Sequence, residues 1–142
     1  MRVLAVDPGE RHLGVAVSDP TGLIARPLTT VTHTARAKDA ARLVALAAEQ
    51  QAEAIVIGSA LDRDGQVGPQ ARHAEKLAEA VRALTPVAVI LYDESFSSQE
   101  AQASLRAAGK NRRDQRDQIH AAAAAAILQS YLNANSRETP PE

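Results

Sequence analysis

The segment that decides the fold is RVLAVDPGERHLGVAVSD, residues 2–19. It contains two short apolar runs with strand character, separated by one tight turn that contains proline and glycine. Asp7 stands at the end of the first run, where it either begins the turn or ends the strand as a ligand. Both interpretations stay open at this point, because aspartate before Pro-Gly is also common in turns.

The rest of the chain alternates strand and helix patterns. Three apolar segments near the N-terminus are joined by connections too short for helices, which predicts an antiparallel meander. Two later apolar runs are continuous, as is typical of strands buried on both faces. We therefore predict an α/β fold with a mixed five-stranded sheet, three antiparallel strands and then parallel ones, flanked by helices. The predicted strands are 2–6, 13–18, 23–31, 54–58 and 86–94; the predicted helices are 35–51, 70–84, 97–109 and 118–132, with 110–118 as a basic loop.

Composition limits the classes of protein. With 142 residues, 45% of them hydrophobic, we expect one domain over residues 1–135 and a disordered tail at 136–142. The absence of cysteine excludes disulfides and thiolate chemistry. No apolar run approaches the roughly 20 residues of a membrane span, so we expect a soluble, cytoplasmic protein without a membrane partner. A net charge of -1 and 2% aromatic residues indicate that any polyanion is held by a local patch.

Acidic residues end two of the predicted strands. Asp7 follows the first strand, and Asp93 with Glu94 follows the last. Ligands of open α/β sheets bind at the carboxyl ends of strands, and clustered carboxylates favour a hard divalent cation. A solvated strand end is an equally good interpretation of Asp93 and Glu94.

Two other segments suggest phosphate binding. GSALDRDGQVGPQA, residues 58–71, has the glycines of a backbone cradle but lacks a Walker lysine, and a long surface connection explains it as well. LRAAGKNRRDQR, residues 105–116, concentrates positive charge, although basic loops are often only solvated surface. Asp117 and His120 follow, three residues apart on one helix face, where either could reach a metal. A lone histidine there is more often packed or capping.

Taken together, these segments resemble the YqgF/RuvX family, described as nucleases of the 16S ribosomal RNA precursor. The family has a ribonuclease H-like fold and is related to the RuvC type of Holliday junction resolvase. The resemblance covers almost the whole chain. It is carried by VDPGERHLGVAVSD, IVIGSALDRDGQVGPQA, YDESFSSQEA and AAAAAAILQSYL.

The resemblance implies a set of site residues. Asp7 and Glu94 match metal-binding positions of the family, whereas its third aspartate falls at His120, with Asp117 one turn earlier. Ser59, Ala60 and Ser95 also depart from the family pattern. The residues implied to hold metal are Asp7, Glu94, His120 and Asp117, and those implied to hold nucleic acid are Arg11, Gly65, Lys110, Arg112, Arg113 and Arg116.

The function expected from this resemblance is metal-dependent hydrolysis of phosphodiester bonds. We expect RNA rather than DNA as the substrate, in maturation of the 16S precursor, with the ribosome or a pre-ribosomal particle as partner. The cofactor is Mn²⁺ or Mg²⁺, and a histidine ligand favours manganese. Two alternatives remain: a nuclease of branched or single-stranded DNA, and an inactive RNA- or ribosome-binding protein. Both a monomer and a homodimer are compatible with the sequence.

Overall fold

The structure is a computed structural model, and it describes residues 1–59, 68–93 and 112–138. In the last of these ranges, side chains are described for residues 119–135. The described part of the chain contains five strands and three helices. They are β1 (Val3–Pro8), β2 (His12–Ser18), β3 (Ala25–Thr32), α1 (Arg36–Glu49), β4 (Ala54–Ser59), α2 (Pro69–Arg82), β5 (Ala88–Asp93) and α3 (Arg112–Glu138).

The strands form one sheet in the order β3-β2-β1-β4-β5. β1 pairs with β2, and β2 with β3, in antiparallel fashion. β4 lies parallel to β1 on the other side, and β5 lies parallel to β4. The predicted meander and the two later parallel strands are thus confirmed. The predicted helix over 97–109 lies outside the described residues.

Helices cover both faces of the sheet. Side chains of α1 and α2 pack on one face, against alternate strand residues such as Leu4 and Val6. α3 packs on the other face, against residues such as Val3 and Ala5. β1 is therefore buried on both sides, which explains its uninterrupted apolar sequence. Within the described ranges, no helix is both long and apolar enough to cross a membrane.

The first turns of α3 correct one prediction. The segment from Arg112 to Gln118 was expected to be part of a basic loop, but it is helical, and α3 begins at Arg112. This segment contains no glycine or proline, and arginine and glutamine are good helix formers. Its polar composition is therefore compatible with a helix as well as with a loop. At its other end α3 continues to Glu138.

Two hydrogen bonds fix α3 across the sheet. The backbone N–H of Ala25 in β3 donates to the Gln129 side chain at 2.9 Å. At the opposite side of the sheet, the Tyr92 and Ser130 hydroxyls lie 2.7 Å apart. Because Ala25 and Tyr92 belong to β3 and β5, the two edge strands of the sheet, these contacts hold α3 in a defined position over β2 and β1.

Candidate metal and nucleic-acid site

The candidate site lies at the edge where the parallel strands end. β1, β4 and β5 run in the same direction, so Pro8, Ser59 and Asp93 finish at one edge of the sheet. β1 is also the point where the strand order reverses, since the chain continues to β2 on one side and returns as β4 on the other. Such a switch point is the usual ligand position of open α/β sheets. Asp7 is the next-to-last residue of β1 and is half-buried.

Gly14 brings α3 into contact with this edge. It is the direct cross-strand partner of Asp7. A Cβ atom at Gly14 would lie 1.8 Å from the carbonyl oxygen of His120, so the α3 backbone occupies the space of a side chain. Directly opposed residues of antiparallel strands project from the same face. The Asp7 side chain and the α3 backbone at His120 therefore lie on the same face of the sheet, and both are next to Gly14.

His12 completes this arrangement. It lies two residues before Gly14, and its ring stacks on that of His120 with centroids 5.0 Å apart and an interplanar angle of 22°. Both histidines are half-buried. His12 was not among the residues predicted from the sequence. Period-2 alternation places it on the face of Gly14, but the stacking partner is only apparent once α3 is packed on the sheet.

A tight turn places Arg11 beside the site. The Gly9 N–H donates to the His12 carbonyl at 3.0 Å, and a Cβ at Gly9 would lie 2.4 Å from that oxygen, so only glycine fits there. Arg11 is exposed within this turn, and its carbonyl accepts the His33 N–H at 2.8 Å. The turn therefore places Arg11 at the same end of the sheet as Asp7.

Asp93 lies apart from this face. It follows Tyr92, which packs on the α3 side, so alternation along β5 assigns Asp93 to the face of α1 and α2. Asp7 and Asp93 lie at the same end of the sheet, where the parallel strands finish, but they belong to opposite faces. Asp93 is therefore a weak candidate for a ligand beside Asp7.

The other predicted site residues are described incompletely or not at all. Asp117 is in α3, one turn before His120, and the arginines of the same segment are in its first two turns. No group of three histidine, aspartate or glutamate side chains within the described part of the chain is arranged to hold a metal ion. Glu94, Gly65 and Lys110 lie outside the described residues, as do the side chains of Asp117, Arg112, Arg113 and Arg116.

Comparison with known proteins identifies the family of this chain. The model of a family described as "RuvX: Holliday junction resolvase" matches residues 1–134. The chain belongs to the RuvX family. A RuvX relative from Anaeromyxobacter dehalogenans (strain 2CP-C), named "Putative pre-16S rRNA nuclease", is 43% identical over 133 residues, which are 94% of this chain and 97% of that protein. A protein of the same name from Mycobacterium tuberculosis is 42% identical, over 93% of this chain and 78% of its own length.

Solved structures support the ribonuclease H-like fold. Thermus thermophilus RuvC, in complex with a Holliday junction substrate, superposes with a TM-score of 0.60 and 24% identity, covering 96% of each chain. Fowlpox virus resolvase, also in a complex with junction DNA, gives a TM-score of 0.61 with 10% identity, over 95% of this chain and 99% of its own. The predicted family and fold are both confirmed.

Proposed function

We propose that this RuvX protein is a divalent-metal-dependent nuclease that hydrolyses phosphodiester bonds in RNA, in the maturation of the 16S ribosomal RNA precursor. The observation that carries the proposal is the pairing of Asp7 with Gly14, against which the backbone of His120 is packed. It brings a carboxylate and an imidazole to one face at the ligand-binding edge of the sheet. The names of the relatives support RNA as the substrate.

The residues present fit a divalent cation. Carboxylate oxygens bind magnesium and manganese, and imidazole is a common ligand of the softer transition metals. Asp7 and Glu94 would hold the metal, with His120 or Asp117 as a further ligand. A bound divalent ion supplies a Lewis acid for the phosphoryl oxygen and lowers the pKa of a coordinated water. The stacked ring of His12 keeps the His120 imidazole in one orientation.

Basic groups at the same edge would hold the substrate. Arg11 is exposed beside Asp7 and can neutralise a backbone phosphate. α3 begins about 12 Å before His120, so its positive dipole end lies on the side of the sheet where β1 ends. The remaining proposed contacts come from Gly65 and from the basic segment Lys110, Arg112, Arg113 and Arg116.

The cellular setting follows from this activity. A nuclease of the 16S precursor acts where ribosomes are assembled, so we propose a cytoplasmic protein with a pre-ribosomal particle as partner. Residues 1–135 would form its single ribonuclease H-like domain.

The test compares Asp7→Asn with Asp19→Asn. Both changes remove one carboxylate charge near a strand end, but Asp19 follows β2 at the opposite edge of the sheet. Asp7→Asn is expected to abolish metal-dependent cleavage of a 16S precursor fragment and to keep a native circular dichroism spectrum. Asp19→Asn should cleave at the wild-type rate. Undiminished cleavage by purified Asp7→Asn protein would contradict the proposed site.

The metal preference depends on residue 120. We expect faster cleavage with manganese than with magnesium, because imidazole is a softer donor than carboxylate. His120→Asp, which introduces the residue implied by the family pattern, should shift this preference towards magnesium, and His120→Ala should lower activity with both ions. Equal rates with the two metals, together with an unaffected His120→Ala variant, would show that His120 is not a ligand.

A DNA substrate is the second candidate. The description of the matching family model is "Holliday junction resolvase", which favours a branched DNA junction. Cleavage gels with single-stranded RNA, single-stranded DNA and a four-way junction separate the candidates. Symmetric cleavage of a junction needs two sites, so preference for the junction together with a homodimer in solution would favour resolvase activity over RNA processing.

An inactive binding protein is the third candidate, motivated by the histidine at position 120. It predicts no binding of manganese by calorimetry and an RNA affinity that Asp7→Asn leaves unchanged.

A further inference from the structure

A groove lies where α1 meets the edge strand β3. Its volume is about 450 Å³. One wall is the end of β3 and the segment that follows it, and the other wall is the first half of α1. The lining residues are Thr30, Val31, Thr32, Thr34, Lys38, Asp39 and Arg42. The function proposed above does not use this groove.

The charge of the groove is positive at its surface. Lys38 and Arg42 are four residues apart on α1, so they lie on the same helix face, and both are exposed. Neither forms an ion pair with any other described residue. Two exposed cations on one wall, with no acidic partner in the described part of the chain, favour an anionic ligand.

The carboxylate of the groove is already engaged. Asp39 is 3% exposed. It accepts a hydrogen bond from the His33 ring and another from the Thr34 N–H, the latter at 3.2 Å. Because Asp39 is buried and held by these two partners, the accessible charge of the groove comes from Lys38 and Arg42.

The groove is in line with the candidate metal site. Asp7 pairs with Gly14, and Gly14 pairs with Thr30 on its other side, so the three residues form one row across the sheet. Neighbouring strands are about 4.8 Å apart, which places Thr30 about 10 Å from Asp7. The next groove residue on β3, Thr32, pairs with His12. Because α1 covers the face opposite to Asp7, a strand bound at both places would pass over the outer side of β3.

The chemistry of the walls fits a phosphodiester backbone. Threonine hydroxyls, the outward backbone N–H groups of an edge strand, lysine and arginine are the usual donors to phosphate oxygens. The low aromatic content of the chain provides little for base stacking, so phosphate contacts must supply most of the affinity.

We propose that the groove between β3 and α1 binds phosphates of the nucleic-acid strand that flank the cleaved bond, with Lys38 and Arg42 as the cationic contacts. This inference rests on the proposed nuclease function, because that function places the cleaved bond at Asp7 and so sets the direction in which the bound nucleic-acid strand reaches the groove. The groove itself recognises backbone phosphate and does not distinguish sequences. It extends the interface from the Asp7 edge along the outside of β3.

The test uses the double variant Lys38→Gln/Arg42→Gln. The matched control is Arg26→Gln/Lys76→Gln, which removes the same charge from two exposed residues on β3 and α2 outside the groove. Binding of a fluorescein-labelled single-stranded RNA, and of DNA of the same sequence, is measured by anisotropy over a salt series in EDTA. Unfolding midpoints in urea verify that both variants are folded. EDTA separates binding from cleavage.

The groove variant should bind RNA about tenfold more weakly than the control at ~0.1 M salt. The slope of log affinity against log salt should fall by about 1.4, because each contact with a single strand contributes about 0.7. RNA and DNA should be affected alike, and cleavage of a dinucleotide should remain at the wild-type rate. Identical affinities and slopes for the two variants would overturn the inference, as would an effect on only one nucleic acid. Failure of the wild type to cleave either RNA or DNA would refute the nuclease function and leave the binding result intact.

Discussion

Replacing Gly14 by alanine tests whether direct contact between α3 and β2 organises the site. The new methyl carbon would lie 1.8 Å from the His120 carbonyl oxygen, 2.2 Å from its carbonyl carbon and 2.9 Å from the Ala121 nitrogen. All three are backbone atoms, so no side-chain rotation relieves the overlap. Ordinary contact needs about 3.5 Å, so α3 and β2 must separate locally by about 1.7 Å.

The expected loss of stability depends on the side chains that α3 buries against the sheet. Overpacking by one methyl group costs about 1–3 kcal/mol where neighbours can adjust. Here the helix must move, which weakens the contacts of its buried side chains, so we expect a loss of about 2–4 kcal/mol in the free energy of unfolding. In the absence of a clash, alanine in a strand would instead be about 0.5–1 kcal/mol more favourable than glycine. The α3 residues buried on the sheet are Ala121, Ala124, Ile127, Leu128 and Leu132.

Urea unfolding, followed by circular dichroism, measures this loss, and Val15→Ala is the control. Val15 is the next residue of β2, but its side chain enters the core on the other face, so its truncation costs about 2 kcal/mol without displacing α3. Under conditions where both variants are folded, only Gly14→Ala should lose manganese affinity and cleavage. A Gly14→Ala protein as stable and active as the wild type would refute the reasoning.

Three further predictions concern side chains away from the proposed metal site. Asp39→Ala should lower the free energy of unfolding by about 1–3 kcal/mol in urea titrations, because it leaves His33 and the Thr34 N–H without their acceptor, whereas Glu49→Ala at the exposed end of α1 should have little effect. Burial lowers the pKa of His73 from 6.5, and the charges of Arg36 and His33 lower it further, so the unfolded chain binds the proton more readily. Stability should therefore fall as the pH drops below about 6.5, and His73→Leu should reduce the difference between melting temperatures at about pH 7.5 and about pH 5.5; an unchanged difference would contradict this. Hydrogen bonds from the Ile24 N–H, the Thr21 hydroxyl and the Leu23 N–H lower the pKa of Asp19 well below its usual range, so its contribution is present above about pH 4 and is lost on further acidification. Asp19→Asn should accordingly melt at a lower temperature at neutral pH and show a smaller decline in acid, and a parallel decline would be the contrary result.

Most of the fold could be predicted because the apolar pattern and the connection lengths agree. The turn between Asp7 and His12 is too short for a helix, which forces β1 and β2 to be antiparallel. The segment before β4 is long enough to cross over, and its alanines and leucines repeat with helical spacing. The start of α3 could not be predicted in this way, because polar residues without glycine or proline are compatible with both a loop and an exposed helix.

The candidate site was less accessible to sequence reasoning, because it depends on contacts between distant residues. Strand-end position suggests Asp7 and Asp93 equally, and only the ladder register separates them by face. The resemblance to the family indicates His120 as a candidate ligand. No local sequence feature relates it to His12, which is 108 positions earlier. Their stacking requires α3 to approach β2 at the one position without a side chain.

The glycine at position 14 therefore connects the fold and the chemistry. Any side chain there would move the backbone of His120 away from the sheet, and Asp7, directly opposite, would remain in place on β1. A carboxylate and an imidazole act on one metal ion only if their separation is fixed to a few tenths of an ångström. A rigid contact between helix and strand backbones provides such a distance more reliably than contacts between flexible side chains. In the proposed site, residue 120 can then be aspartate or histidine while the position of the ligand is preserved, and for this reason we propose that this side chain sets the metal preference and that Gly14 sets the geometry.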